Sequence, residues 1–267
     1  LEQTTKRVHG HTLVTVTGPG GVGKTRTSIE LAHRVRPSFP GGVWIVDLAS
    51  VGRGIDAPAA VLRALGISEL SGTGQPRTPA QGVAAMFSEN AGLLLVDNCE
   101  HVVDGIARFL EDLLTRESKL TVLTTSRTPI GVPGEEVVIL PPLSTAGLSQ
   151  AREGEPASES RRELESEAIE LYLQRARSRA PSFEIDEDGL ATIREICLRL
   201  DGLPLAIELA ASQARSLPLG ETLRRVREGR SLGAPTTAPQ RHQSLKDLVA
   251  WSHRLLRRKE QALLERM

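Results

Sequence analysis

Eight consecutive residues, Gly18-Pro19-Gly20-Gly21-Val22-Gly23-Lys24-Thr25, constrain this chain more than any others. A short run rich in β-branched residues, Thr12-Leu13-Val14-Thr15-Val16-Thr17, precedes them. Ser28-Ile29-Glu30-Leu31-Ala32, which reads as helix, follows. Strand, G-x-x-x-x-G-K-[ST], helix is the phosphate-binding P-loop arrangement. Glycines let backbone N–H groups turn inward around phosphate oxygens, with no Cβ in the way. The helix that follows points its positive end at the same oxygens. Lys24 is expected to reach the β- and γ-phosphates, and the Thr25 hydroxyl to hold Mg²⁺. Arg26, next along, joins Gly18 to Thr25 in the expected nucleotide-binding set. Without the flanking strand and helix, the same letters would read as a glycine-rich hairpin beside an exposed lysine.

A second landmark is Leu93-Leu94-Leu95-Val96-Asp97, an apolar run that ends in an acid. One strand-helix unit beyond a P-loop, this is a Walker B pattern. Asp97 is expected at the carboxyl end of a central strand, where open α/β sheets bind ligands. There it would hold Mg²⁺ opposite Thr25. The plainer alternative makes Asp97 a helix N-cap, with Glu100 completing a capping box. A third landmark is Leu120-Thr121-Val122-Leu123-Thr124-Thr125, a strand that runs into Ser126-Arg127. An arginine at such a tip can reach a γ-phosphate and act as its sensor. The alternative is a surface arginine paired with a carboxylate.

The remaining periodicities set the fold class. Val43 to Leu48 and Glu136 to Leu140 read as further strands, and 57–65, 80–88 and 102–114 as helices. Strands alternating with helices predict an α/β domain: a P-loop NTPase parallel sheet covered by helices. After Pro142 the chain changes character. Residues 144–162 lack periodicity and read as a linker. From Leu164 onward the pattern is helical only, with apolar positions at helical spacing across 190–200. Residues 229–240 read as a second linker, followed by helices over 245–256 and from 259.

Lys+Arg and Asp+Glu are equal at 33 each, so the net charge is zero. A neutral chain gives no electrostatic reason for tight non-specific binding of nucleic acid. The two cysteines, Cys99 and Cys197, show no metal-ligand spacing and read as reduced core residues of a cytoplasmic protein, with a lone bridge as the alternative. No apolar run approaches the roughly 20 residues that span a bilayer, so no membrane partner and a cytoplasmic location are expected.

Taken together, the P-loop, Leu95-Val96-Asp97-Asn98-Cys99-Glu100-His101, Thr124-Thr125-Ser126-Arg127 and Gly202-Leu203-Pro204-Leu205-Ala206 carry a family resemblance. Their order resembles the NB-ARC module of STAND-class signalling ATPases, shared by plant resistance proteins and the apoptotic protease-activating factor. Asp97 to His101, with Arg241-His242-Gln243-Ser244-Leu245 and Trp251-Ser252, is similar to the bacterial branch in AfsR-like SARP transcriptional regulators. The resemblance covers nearly the whole chain. It implies a nucleotide-binding domain over 1–143, an all-helical ARC domain over 144–232 and the start of a winged-helix domain over 233–267. It implies ATP or ADP with Mg²⁺ as cofactors, phosphate binding by Gly23, Lys24 and Thr25, Mg²⁺ at Thr25 and Asp97, and γ-phosphate sensing by Arg127. It also implies that Pro204 packs on the adenine. The plain alternative for Pro204 is a proline at a helix start.

Three departures from the family pattern matter. Many relatives carry an acid directly after the Walker B aspartate, to orient the attacking water; here it is Asn98. An amide cannot take a proton as a carboxylate does, so hydrolysis is expected to be slow unless Glu100 or another group substitutes. A Gly-Arg segment before the first strand and a late winged-helix histidine motif are both missing. The chain therefore reads as an excerpt of a larger regulator. Its expected partners are itself or its flanking domains, with DNA contacted through domains outside it. The competing readings are a metabolic P-loop kinase and a winged-helix DNA-binding module with basic residues between Arg241 and Arg258. GTP is disfavoured, because no Asn/Thr-Lys-x-Asp guanine-reading segment occurs.

Overall fold

The computed structural model describes residues 2–49, 51, 57–68, 77–116, 119–145, 166–181 and 183–228. Most of the expected 144–162 linker, and everything expected from residue 229 onward, including the start of the winged helix, lie outside the described residues. The described residues form two compact units. One is built on Gly23–Leu140 with the chain before Gly20; the other is the chain after Leu140 together with Gly20–Val22.

The first unit opens with helix α1 (Glu2–Gly10) and continues through β1 (Leu13–Thr17), α2 (Lys24–Val35), β2 (Val43–Asp47) and α3 (Ala57–Leu65). Then follow α4 (Pro79–Met86), β3 (Gly92–Asp97), α5 (Val103–Leu114), β4 (Leu120–Ser126) and β5 (Glu136–Ile139). The five strands make one sheet in the order β2-β3-β4-β1-β5, and every neighbouring pair is parallel. A parallel sheet needs both faces covered, so its central strands carry near-continuous apolar runs. Every residue of β1 and β3 is buried. Side chains alternate faces along a strand, and the core divides accordingly. Leu13, Leu94, Val96 and Val122 pack on α3, α4 and α5 residues such as Val61, Val83 and Leu110. Val14, Val16, Leu93, Leu95 and Leu123 pack on the other face with Val8 of α1 and Leu31 of α2. The edge strands β2 and β5 are only partly buried.

The sheet's topology positions the site. β1 is flanked by β4 on one side and β5 on the other, so the chain's crossovers run to opposite sides of its carboxyl end. That is where open α/β sheets bind ligands. The carboxyl ends of β1, β3 and β4 release the glycine-rich loop, Asp97 and Arg127 respectively.

The second unit is helical among its described residues: α6 (Glu167–Arg179), α7 (Glu187–Arg199), α8 (Pro204–Ser212) and α9 (Leu219–Arg227). α6 packs on α8 and α7 on α9. Ile169, Tyr172, Ile193, Ile196, Cys197, Ile207 and Ala210 form their shared core. Asp186 caps α7 by accepting the Gly189 N–H at 2.8 Å. After Leu200, Asp201 and Gly202 both turn left-handed (φ 51° and 64°). The Gly202 N–H then closes on the Cys197 carbonyl at 3.2 Å, a glycine-terminated helix end. Pro204 sits in the first turn of α8, where its missing N–H costs nothing. Both cysteines are free and buried. No helix of the described residues is long and apolar enough to cross a membrane.

Candidate functional site

The glycine-rich loop leaves β1 at Thr17 and feeds directly into α2. Its last glycine, Gly23, is the residue before the helix and has φ 99°, a conformation that a Cβ would strain. Lys24 is the first residue of α2 and is only 9% exposed. Its Nζ donates to the carbonyl oxygens of Gly18 at 2.9 Å and Pro19 at 3.1 Å, so the ammonium lies folded across the loop's own backbone. Burial pushes the Lys24 pKa below its ordinary value. The negative charge of Glu100 is the largest influence opposing that shift; Arg127 adds to the shift and Asp97 opposes it. A buried ammonium hydrogen-bonded to two backbone carbonyls can exchange them for an anion's oxygens.

Thr25, one residue on, donates its hydroxyl to Asp97, with Oγ1 2.9 Å from each carboxylate oxygen. Asp97 ends β3 and is buried. It also accepts the hydroxyl of Thr125, the penultimate residue of β4. The Asn98 amide donates to Asp97 Oδ2 at 3.1 Å and to Asp47 Oδ1 at 3.2 Å, while the Asn98 backbone N–H donates to Thr125 Oγ1 at 3.0 Å. Asn98 takes a left-handed turn (φ 64°), which asparagine tolerates better than most residues. Asp97 therefore does not serve as a helix cap. Its oxygens face Thr25, Thr125 and Asn98. Burial raises its pKa; the Thr125 and Thr25 hydroxyls pull it back, and the charges of Asp47 and Glu100 push it up further. A cation beside Asp97 would offset that cost.

Thr25 and Asp97 are adjacent hard oxygen donors, the ligand type that Mg²⁺ prefers. Among the described residues no group of three or more His, Cys, Asp or Glu side chains could hold a metal. Two protein oxygens without a cage suit Mg²⁺, which keeps several waters and binds with phosphates. On its donor set, the pair fits the metal.

Arg127 follows β4, which is hydrogen-bonded to β1, so it stands beside the strand that releases the loop. Its Nε lies 3.5 Å from Glu100 Oε1, with the two side chains 19% and 7% exposed. The carboxylate pairing expected as the alternative is present, and it is largely buried rather than on the surface. Of the remaining expected site residues, Arg26 lies on α2, and Gly20, Gly21 and Val22 lie in the loop. Pro204 opens α8 in the second unit.

Two residues here escaped the sequence reading. Asp47 ends β2 as Asp97 ends β3, and the strand register pairs them directly. An apolar run ending in an acid was the available signal. Thr125 gave no signal beyond its place near a strand tip.

No protein-family profile matches this chain. An uncharacterised protein of Mycobacterium tuberculosis is 37% identical over 257 residues, which is 96% of this chain and 60% of that protein. A "putative HTH-type transcriptional regulator" of the same organism is 35% identical over 257 residues, 96% of this chain and 26% of the regulator. The regulatory protein AfsR of Streptomyces coelicolor is 26% identical over 205 residues, 73% of this chain and 17% of AfsR. The chain thus spans less than two thirds of each of these relatives. Among solved structures, Cdc6p of Pyrobaculum aerophilum has a TM-score of 0.51 at 15% identity, over 86% of this chain and 62% of its own. The fold is that of P-loop ATPases: a parallel five-stranded sheet with helices.

Proposed function

We propose that this chain is the ATP- and ADP-binding switch module of a bacterial transcriptional regulator, built as an NB-ARC module of the AfsR-like SARP type. The observation that carries the reading is the hydrogen-bonded pair Thr25–Asp97, placed behind a buried Lys24 at the carboxyl end of β1. The names of the relatives support the regulatory setting, and the P-loop ATPase fold supports nucleotide chemistry. In this reading residues 1–143 bind the nucleotide, 144–232 form the ARC domain and 233–267 begin a winged helix. Partners are other copies of the protein or its flanking domains, with DNA contacted outside this chain, in the cytoplasm.

Each residue's part follows from where it lies. The loop from Gly18 to Gly23 presents backbone N–H groups to phosphate oxygens. Lys24 exchanges the Gly18 and Pro19 carbonyls for the β- and γ-phosphates. Thr25 and Asp97 would hold Mg²⁺, which when bound neutralises phosphate charge. Pro204 supplies an apolar surface for the adenine. Hydrolysis is slow and serves to reset the switch.

Arg127 is the element that distinguishes the two nucleotides. A ligand moves a conformational equilibrium only through differential affinity for the two states. Arg127 supplies that difference by leaving Glu100 for the γ-phosphate, a charge-assisted contact that ADP cannot offer. Arg127→Ala should therefore weaken ATP about tenfold or more while leaving ADP affinity nearly unchanged. Calorimetric titration of both nucleotides into wild type and variant checks this. Equal losses for ATP and ADP would make Arg127 a general phosphate contact and not a sensor.

A further inference from the structure

Glu100 lies on the single turn that follows β3, three residues beyond Asp97. Its side chain is 7% exposed. One carboxylate oxygen faces Arg127; the other, Oε2, is buried and has no hydrogen-bond partner among the described residues. An unsatisfied buried carboxylate oxygen is costly. The other candidates for handling a water are either engaged or exposed to solvent. Both Asn98 amide contacts go to Asp47 and Asp97, and an amide accepts no proton. Asp97 is occupied by Thr25, Thr125 and Asn98. Asp47 accepts from Asn98 and from the Ala49 N–H on the one oxygen Oδ1, and it is exposed at the end of β2. Glu100 is the carboxylate of this cluster with an open, buried oxygen, and it lies within electrostatic reach of Lys24.

We propose that Glu100 is the catalytic carboxylate of ATP hydrolysis in this chain, and that Arg127 restrains it until a γ-phosphate draws the guanidinium away. The proposal rests on the nucleotide reading above and deepens it. In the step, the oxygen of water forms a bond to the γ-phosphorus. The bond from that phosphorus to the oxygen bridging the β-phosphate breaks, and its electron pair leaves with ADP. The water's proton passes to Glu100 Oε2 and from there to solvent. A base tied to Arg127 and released only by ATP makes turnover slow and conditional on nucleotide.

The test measures ATP hydrolysis and ATP affinity separately, on the full chain with Mg²⁺. Glu100→Gln keeps the side chain's shape and removes its capacity to take a proton. Turnover should fall about a hundredfold or more, with the ATP dissociation constant within about threefold of wild type. Lost turnover beside an intact ATP dissociation constant is a split that a purely structural role would not produce. Should Glu100→Gln fail to fold, Glu100→Asp retains the carboxylate but draws it back by one methylene. Its turnover should fall about tenfold or more, the cost of a misplaced reacting group, with the ATP dissociation constant again near that of wild type. Wild-type turnover in the folded variant would overturn the assignment and leave the nucleotide reading intact. So would a wild type that binds ATP but never hydrolyses it. A wild type that binds no ATP would overturn both.

Discussion

Lys24→Ala should lose at least about thirtyfold in affinity for ATP and ADP alike. Its Nζ is buried against the Gly18 and Pro19 carbonyls, with desolvation already depressing its pKa. That arrangement is costly without an anion and favourable with one. Charge-assisted hydrogen bonds contribute about 1.5–3 kcal/mol each, and about 2 kcal/mol corresponds to about thirtyfold. Both nucleotides carry a β-phosphate, so both should suffer, in contrast to Arg127→Ala. The fold should survive, because the alanine favours the first turn of α2 and the released carbonyls belong to a loop. Equilibrium binding and circular dichroism on the same preparation check both halves. Unchanged affinity in a folded variant would remove Lys24 from the site.

Gly202→Ala should be the most damaging single methyl in the helical unit. Gly202 has φ 64°, which costs a non-glycine residue about 1–2 kcal/mol. A Cβ there would also lie 2.2 Å from the Leu143 carbonyl oxygen, which is backbone and cannot swing aside. The Leu143 N–H in turn donates to the Gly202 carbonyl at 3.0 Å, so relief by moving either segment breaks that bond. Strain, overlap and a lost hydrogen bond together suggest about 3 kcal/mol or more. Gly220→Ala is the matched control. Gly220 lies in α9 with nothing within 4 Å of where an alanine methyl would stand, and alanine there should stabilise by about 0.5–1 kcal/mol. Thermal melts of the two variants should move in opposite directions. Equal midpoints would show that the Gly202 turn relaxes without cost.

The parallel sheet was legible because each strand is a short apolar run, and burial on both faces requires that pattern. Helix ends were legible where a cap or breaker marks them, as at Pro204 and Gly202. Lys24, Thr25, Asp97 and Arg127 were legible because each follows a strand at a fixed offset, so one-dimensional spacing encodes their convergence. The pairing of Glu100 with Arg127 was not, because it joins the tips of two neighbouring strands through side-chain directions that no periodicity records. Glu100 stands at the spacing of a capping-box residue, yet the Asp97 carboxylate turns toward Thr25 and Thr125 and leaves no cap for it to complete. Asp47 was hidden for a different reason. A lone apolar strand ending in an acid is common, and only the register that sets it against Asp97 gives it meaning. The approach of Leu143 to Gly202 is likewise a tertiary fact, invisible in a helix-stop signal.

The most direct measurement of the central claim is a calorimetric titration of the wild-type chain with ATP, repeated with a chelator in place of Mg²⁺ and with GTP in place of ATP. A site made of Lys24, Thr25 and Asp97 predicts saturable one-to-one ATP binding that weakens when Mg²⁺ is withdrawn. The absence of a guanine-reading segment predicts distinctly weaker GTP. The account is contradicted if ATP gives no saturable binding in the presence of Mg²⁺.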